Sequence, residues 1–160
     1  MVRNPLYADE IEATKGAGME LKEGAVYKFA DLESEFGKDT SYAFVRNNCV
    51  TAFILQPEMN PTFKDGAPAQ GRILVAKGSL RESVIKKLTH GRSYPVFVKQ
   101  GTNKWLYVGL YTYDYVSDDP QDKEIHSREA DIRLNEISHV IFLRRKAAAQ
   151  AVVTTKKRAA

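Results

Sequence analysis

The chain has 160 residues, of which 43% are hydrophobic and 28% charged, with a formal net charge of +4. This length and balance predict one globular domain rather than a disordered chain. The one cysteine, Cys49, excludes an internal disulfide and a cysteine-based zinc site. The sequence contains neither a long apolar run nor an apolar signal core, so we expect no membrane partner and a nuclear or cytoplasmic location.

The patterning divides the chain into three parts. We expect an N-terminal segment over residues 1–24, a single α+β domain over 25–146, and a basic low-complexity tail over 147–160. The expected fold of the domain is a strongly twisted mixed sheet or a partly closed β-barrel. One well-defined amphipathic helix and one or two short helices should accompany the sheet.

The elements of the first half are short. Runs rich in β-branched and aromatic residues predict strands, and glycines and asparagines between them predict turns. A loop with three prolines over 57–71 interrupts the strands, and long loops inside compact domains often carry function. The predicted elements are helices at 6–14 and 31–36 and strands at 25–29, 41–46, 49–55 and 72–76.

The clearest predicted helix covers residues 79–89. Ser79 and Glu82 stand at capping-box spacing, and Gly91 follows the end of the helical pattern. An apolar stripe at helical spacing should be buried. Its members are Leu80, Val84, Ile85 and Leu88.

A hairpin follows, with strands at 94–99 and 105–116 and a turn at 101–104. Alternation along the second strand separates an aliphatic face from an almost wholly aromatic one. Aromatic rings either stack on planar ligands such as bases or fill a curved sheet, and both alternatives are open. The candidate ligand-binding residues are Trp105, Tyr107, Tyr111 and Tyr113. Beyond the hairpin, the polar stretch 117–127 predicts a loop, and 130–134 and 139–143 predict closing strands.

Charge is segregated along the second half of the chain. Residues 81–113 carry six Lys or Arg residues and one acid, residues 114–143 carry eight acids and three bases, and the segment from Arg144 onward carries six bases and no acid. This segregation favours an anionic partner. The candidate phosphate-binding residues flank the hairpin: Lys86, Lys87, Arg92, Lys99 and Lys104.

No motif for catalysis or for a bound cofactor is present. The three histidines do not stand at metal-ligand spacing, and both the phosphate-loop and nucleophile-elbow patterns are missing. The expectation is therefore no cofactor, no metal and no recognisable catalytic residue. An enzyme whose site is assembled only in space stays an alternative.

The stretch Trp105-Leu-Tyr-Val-Gly-Leu-Tyr111 carries the motif W-x-Y-V-G-x-Y. Together with the order of the predicted elements over residues 25–145, it resembles a fungal domain of unknown function and the PUA/SRA-like group of small barrels. Some members of that group read modified bases in an aromatic pocket, and others bind RNA. The resemblance therefore implies a base-binding role for Trp105, Tyr107 and Tyr111.

The hypothesis that best fits these patterns is a nucleic-acid-binding module that pairs a basic segment with an aromatic strand face. A reader of a modified base or of RNA is one form of this hypothesis. The alternative is a protein-interaction domain that docks a partner through the aromatic face or through loop 57–71. Salt dependence of binding separates the two, because phosphate contacts release counterions.

Overall fold

The computed structural model describes residues 19–146, which form an α+β domain built on one twisted, mixed sheet. The expected fold class is confirmed. The helix predicted at 6–14 and the tail over 147–160 lie outside the described residues. Within the described part of the chain, no helix is both long and apolar enough to cross a membrane.

The elements follow one another in this order: β1 (Val26–Tyr27), α1 (Phe29–Phe36), β2 (Lys38–Asp39), β3 (Ala43–Arg46), β4 (Cys49–Leu55), a 3-10 turn (Pro61–Phe63), β5 (Gln70–Ala76), α2 (Ser79–Ile85), β6 (Tyr94–Gly101), β7 (Lys104–Ser117), α3 (Pro120–Ala130), a second 3-10 turn (Leu134–Glu136) and β8 (Ile137–Arg145).

The sheet curls into a half-barrel with the strand order β2-β3-β4-β6-β7-β8-β5. The β4–β6 pair is parallel and the others are antiparallel. Strand β7 is the longest, at 14 residues. One edge of β7 pairs with β6. On the opposite edge, β1 pairs with the N-terminal part of β7 and β8 pairs with the C-terminal part. Strand β8 also pairs with β5, so β8 connects β5, which is the final strand in this order, to the rest of the sheet.

The main core lies inside the curl. Phe53, Ile73, Val96 and Ile141 come from four different strands and are all completely buried there. Val84 of α2 joins the same cluster, so α2 packs on the inner face of the sheet. Two smaller clusters cover the outer face.

The first outer cluster is built around α1. Leu32 and Phe36 of this helix pack on Phe44 and Phe97 of the sheet. Their spacing of four residues places both on one face of the helix. The second outer cluster joins Leu74, Ile137 and Val140, with half-buried Ile132 packed against it.

Loop 57–71 completes the half-barrel. Phe63 is buried in the main core, and a Cβ on Gly71 would come within 2.5 Å of its ring. Asn60 Oδ1 accepts a hydrogen bond from the Leu74 amide at 2.8 Å, and Thr62 Oγ1 accepts one from the Arg72 amide at 2.9 Å. These two side chains satisfy amides on the free edge of β5, which would otherwise be open to pairing. The loop therefore supports the fold.

Helix α2 differs from the prediction over 79–89. It ends at Ile85, and its N-cap is Gly78 with a φ of 140° rather than Ser79. Glu82 still caps the start, because its Oε2 accepts from the Gly78 amide at 3.0 Å. Leu80 is 62% exposed, so only part of the predicted apolar stripe is buried.

The region after β7 also differs from the prediction. Residues 120–130 form α3 where a loop was predicted, and the strand predicted over 130–134 is absent, since α3 ends at Ala130 and a 3-10 turn begins at Leu134. Asp119 caps α3 by accepting from the Gln121 amide, and Asp131 ends it in a left-handed conformation. The 11 residues of α3 make it the longest helix between residues 19 and 146.

Candidate functional site

Strand β7 does not present one continuous aromatic face. Its register against β6 shifts beside Gly109, and its register against β8 shifts between Tyr113 and Tyr115. Each shift inserts an extra residue into β7, so the alternation of faces changes at both points. Gly109 has a φ of 123°, a conformation that glycine adopts without steric cost. As a result, Tyr107 packs in the cluster around α1, whereas Tyr111 packs inside the curl.

Three of the four candidate ligand-binding rings are covered by the chain itself. Trp105 and Tyr107 are 8% and 5% exposed and pack beneath α1, and Tyr111 is fully buried. The hydroxyl of Tyr111 donates to the Pro68 carbonyl at 2.7 Å, and burial raises its pKa to about 12. Stacking of a base on these rings stays a prediction, and it requires the covering side chains to move.

Tyr113 occupies a different environment from the other three rings. It is half-buried at the margin of the main core, and the exposed His90 contacts it edge-on with the ring centroids 5.4 Å apart. His90 lies in the connection between α2 and β6. Tyr113 thus lies beside the basic residues that follow α2.

The bases after α2 form a surface that we call the helix-end surface: Lys86, Lys87, His90 and Arg92, with Tyr113 beside them. The Arg92 guanidinium lies 5.9 Å from the centre of the Tyr94 ring. Residues 83–113 contain no Asp or Glu. Within residues 19–146, none of Lys86, Lys87 and Arg92 forms an ion pair.

Lys99 and Lys104 lie apart from that surface, at the tip of the β6–β7 hairpin. The Lys99 ammonium is 5.9 Å from the centre of the Trp105 ring, and Lys104 is exposed. Five residues separate Tyr94 from Lys99 along β6, a distance of roughly 16 Å in an extended strand. The five predicted phosphate-binding residues therefore form two groups at opposite ends of β6.

Arg144 and Arg145, the first of the six bases in the C-terminal basic segment, are the last residues of β8. Arg144 makes two hydrogen bonds to the Asp114 carboxylate, at 2.9 and 3.2 Å, and Arg145 pairs with Glu23. Both arginines already have carboxylate partners, so we do not include them in a site for a phosphate. The cluster Lys156–Arg158 lies outside the described residues.

A cavity of about 160 Å³ lies between the two ends of the curled sheet, next to Tyr42, Asn60 and Arg81. The Tyr42 hydroxyl donates to the Arg81 carbonyl, and both polar atoms of the Asn60 side chain bond to backbone groups. The polar side chains that line the cavity are thus largely engaged in hydrogen bonds to the backbone. Among residues 19–146, no three His, Cys, Asp or Glu side chains are grouped as metal ligands.

Comparison with known proteins yields no relative for this chain. No family model matches it, and searches of curated proteins and of solved structures also gave no match. The likeness to PUA/SRA-like barrels therefore stays a prediction from the hairpin motif.

Proposed function

We propose that this protein is a nucleic-acid-binding module that contacts the sugar-phosphate backbone through the helix-end surface. The observation that carries the proposal is the set of cations within residues 86–92, which follow one another closely along the chain and lack carboxylate partners in residues 19–146. Unpaired lysines and arginines on one surface attract polyanions and position phosphates. His90 lies between Lys87 and Arg92 in the chain, and its ring contacts that of Tyr113.

Burial of the other rings makes the proposal more specific. With Trp105, Tyr107 and Tyr111 covered, most of the contact with nucleic acid comes from phosphate groups rather than from base edges. Such contacts carry little sequence information and depend strongly on salt. Recognition of a modified base or of an RNA sequence would be an additional property, and it would need one of the covered rings to open. A nuclear location fits either ligand, and a cytoplasmic one fits RNA.

The test is a titration of the whole chain with labelled single- and double-stranded DNA and RNA at two salt concentrations. We expect Kd values of about 1–100 µM near physiological salt, the range of non-specific nucleic-acid binding. The double substitution Lys86→Gln with Lys87→Gln should weaken binding to every sequence alike and lower the salt slope by about 1.4 for a single strand, since each lost phosphate contact removes about 0.7.

The matched control is Lys28→Gln with Lys38→Gln, which removes the same charge from exposed lysines next to α1. This control should bind like the wild type. An equal loss in both double variants would show that only net charge matters. If the wild type binds none of the four ligands at low salt, the proposal is wrong, and docking of a partner protein becomes the leading hypothesis.

A further inference from the structure

Three cations from separate parts of the chain line an open groove on the side of the molecule where β5 ends and β8 begins. Lys77 follows β5, Lys123 lies in the first turns of α3, and Arg133 precedes the second 3-10 turn. Lys77 and Lys123 are 46 positions apart in the chain, so folding, and not a local charge run, brings them together.

The sequence does not reveal this groove because two of its cations lie in the segment that is acidic overall. Lys123 and Arg133 fall within residues 114–143, where acids outnumber bases. Among residues 19–146, however, no Asp or Glu side chain lines the groove. Within residues 19–146, none of the three cations forms an ion pair.

The floor of the groove is apolar. Pro120, Leu134 and Ile137 line it, and Leu134 is 45% exposed, one of few large apolar side chains in the described region with that much exposure. Cations around an apolar floor suit a ligand with both a charged and a planar or apolar part. A nucleotide unit has this combination, since its phosphate is anionic and its base has an apolar face.

The groove continues the helix-end surface. A neighbouring depression is lined by Lys86 at the end of α2 and by His139 of β8. Lys77 lines the groove and Ser79, two positions further along the chain, lines the depression, so the two adjoin at the paired ends of β5 and β8. Ile137 belongs to an outer cluster whereas α2 packs on the inner face, so the path between them turns around this end of the sheet. Glu82 also lines the depression, but its carboxylate already accepts a hydrogen bond from the Gly78 amide.

We propose that this groove is a second phosphate-binding subsite of the same nucleic-acid interface. A strand held at the helix-end surface passes over His139, places further phosphates near Lys77, Lys123 and Arg133, and packs a base against Leu134. This inference rests on the proposed function and extends it, because it gives the ligand a path across the molecule.

The experiment compares the whole chain with the double variant Lys123→Gln with Arg133→Gln. The probes are single-stranded oligonucleotides of about 4 and about 16 nucleotides, a range of site sizes found for single-strand binders. For the longer probe, the variant should lower the salt slope by about 1.4, the contribution of two phosphate contacts. The shorter probe should show a smaller change, because it can occupy the helix-end surface alone.

A separate variant, Leu134→Ser, tests the apolar floor without changing charge. We expect it to weaken binding of the longer probe at least severalfold while leaving the salt slope unchanged. The Lys28→Gln with Lys38→Gln protein is again the control for charge.

The outcomes separate the two proposals. If the wild type binds the longer probe, and both Lys123→Gln with Arg133→Gln and Leu134→Ser behave as the wild type, the second subsite is overturned and the helix-end surface stands. If the wild type binds neither probe at low salt, both proposals are overturned. A reduced salt slope in the first variant, with normal binding by the control, supports the second subsite.

Discussion

His126 is the residue whose environment departs most from what its sequence position suggests. It lies in a polar, acidic stretch, yet its side chain is completely buried between α3 and loop 57–71. Its Nε2 lies 2.8 Å from the Met59 carbonyl and must donate to it, while Nδ1 has no partner within residues 19–146. A second proton, on Nδ1, would place an unpaired donor in the interior, which is costly.

We predict that His126 makes stability depend on pH. Burial lowers the pKa of His126 below its usual 6.5, and of the charged groups nearby Arg72 lowers it further while Glu129 raises it. Below about pH 6.5 the unfolded chain takes up a proton that the folded protein does not, so the free energy of unfolding falls as the pH falls. Over the unit from 6.5 to 5.5 the upper limit of this loss is about 1 kcal/mol, the value for a folded protein that takes up no proton in that window.

Urea unfolding at pH 7.5 and 5.5 measures this effect. His126→Gln should show a weaker loss on acidification than the wild type, and His90→Gln, which alters an exposed ring, should lose as much as the wild type. Equal losses in the wild type and His126→Gln would contradict the assignment.

Gly109 shows why the candidate site was only partly predictable. The aromatic residues of β7 and the basic residues after α2 are evident in the sequence, and the hairpin forms as predicted. A rule of strict alternation, however, cannot locate a bulge, and the extra residue beside Gly109 turns Tyr111 from one face to the other. The glycine within the strand was the one local sign of a bend.

Among the elements, α2 and α3 show two different limits of prediction. The apolar spacing correctly located α2, but the further turn predicted over 86–89 is replaced by the connection to β6. Helix α3 was missed because it has almost no apolar stripe: His126 is its one buried residue. Its end signals were readable, since an N-cap Asp119 followed by Pro120 is typical of a helix start.

We predict that two apolar residues of α2, Val84 and Leu80, contribute very differently to stability. Val84→Ala should lower the free energy of unfolding by about 2 kcal/mol, because it removes two buried methyl groups and leaves a cavity in the main core. Leu80→Ala should change it by less than about 0.5 kcal/mol, since Leu80 is mostly exposed.

Chemical denaturation of the two variants checks this prediction, and each serves as the control for the other. A large loss for Leu80→Ala would mean that the stripe first predicted from the sequence is buried after all, and that α2 packs differently.

In the molecule as a whole, strand order and chain order disagree in one important place. Within residues 19–146, strand β5 has one strand partner, β8, which is the last strand of this part of the chain. Strand β8 also pairs with the C-terminal half of β7 and supplies the core residues Ile141 and Leu143. Pairing of this kind, between residues far apart in sequence, was not predictable because local patterns do not specify strand neighbours.

We predict a sharp boundary in C-terminal truncations. A chain that ends at Lys146 should keep the melting temperature of the whole protein, since every strand pairing described above ends at or before Arg145. A chain that ends at Glu136 should not fold, because β5 then has no partner and the inner core is open. Near-ultraviolet circular dichroism with thermal unfolding distinguishes these results, and a folded shorter chain would show that β8 is dispensable.

The late position of β8 also matters during synthesis of the protein. Until the ribosome has made the C-terminal residues, β5 has no strand partner, and its run Ile73-Leu-Val75 remains uncovered by the last strand. Unpaired apolar strands on nascent chains promote aggregation and are recognised by chaperones. The fold therefore makes the yield of soluble protein in a cell depend on how quickly the last strand is delivered, as well as on the stability of the finished domain.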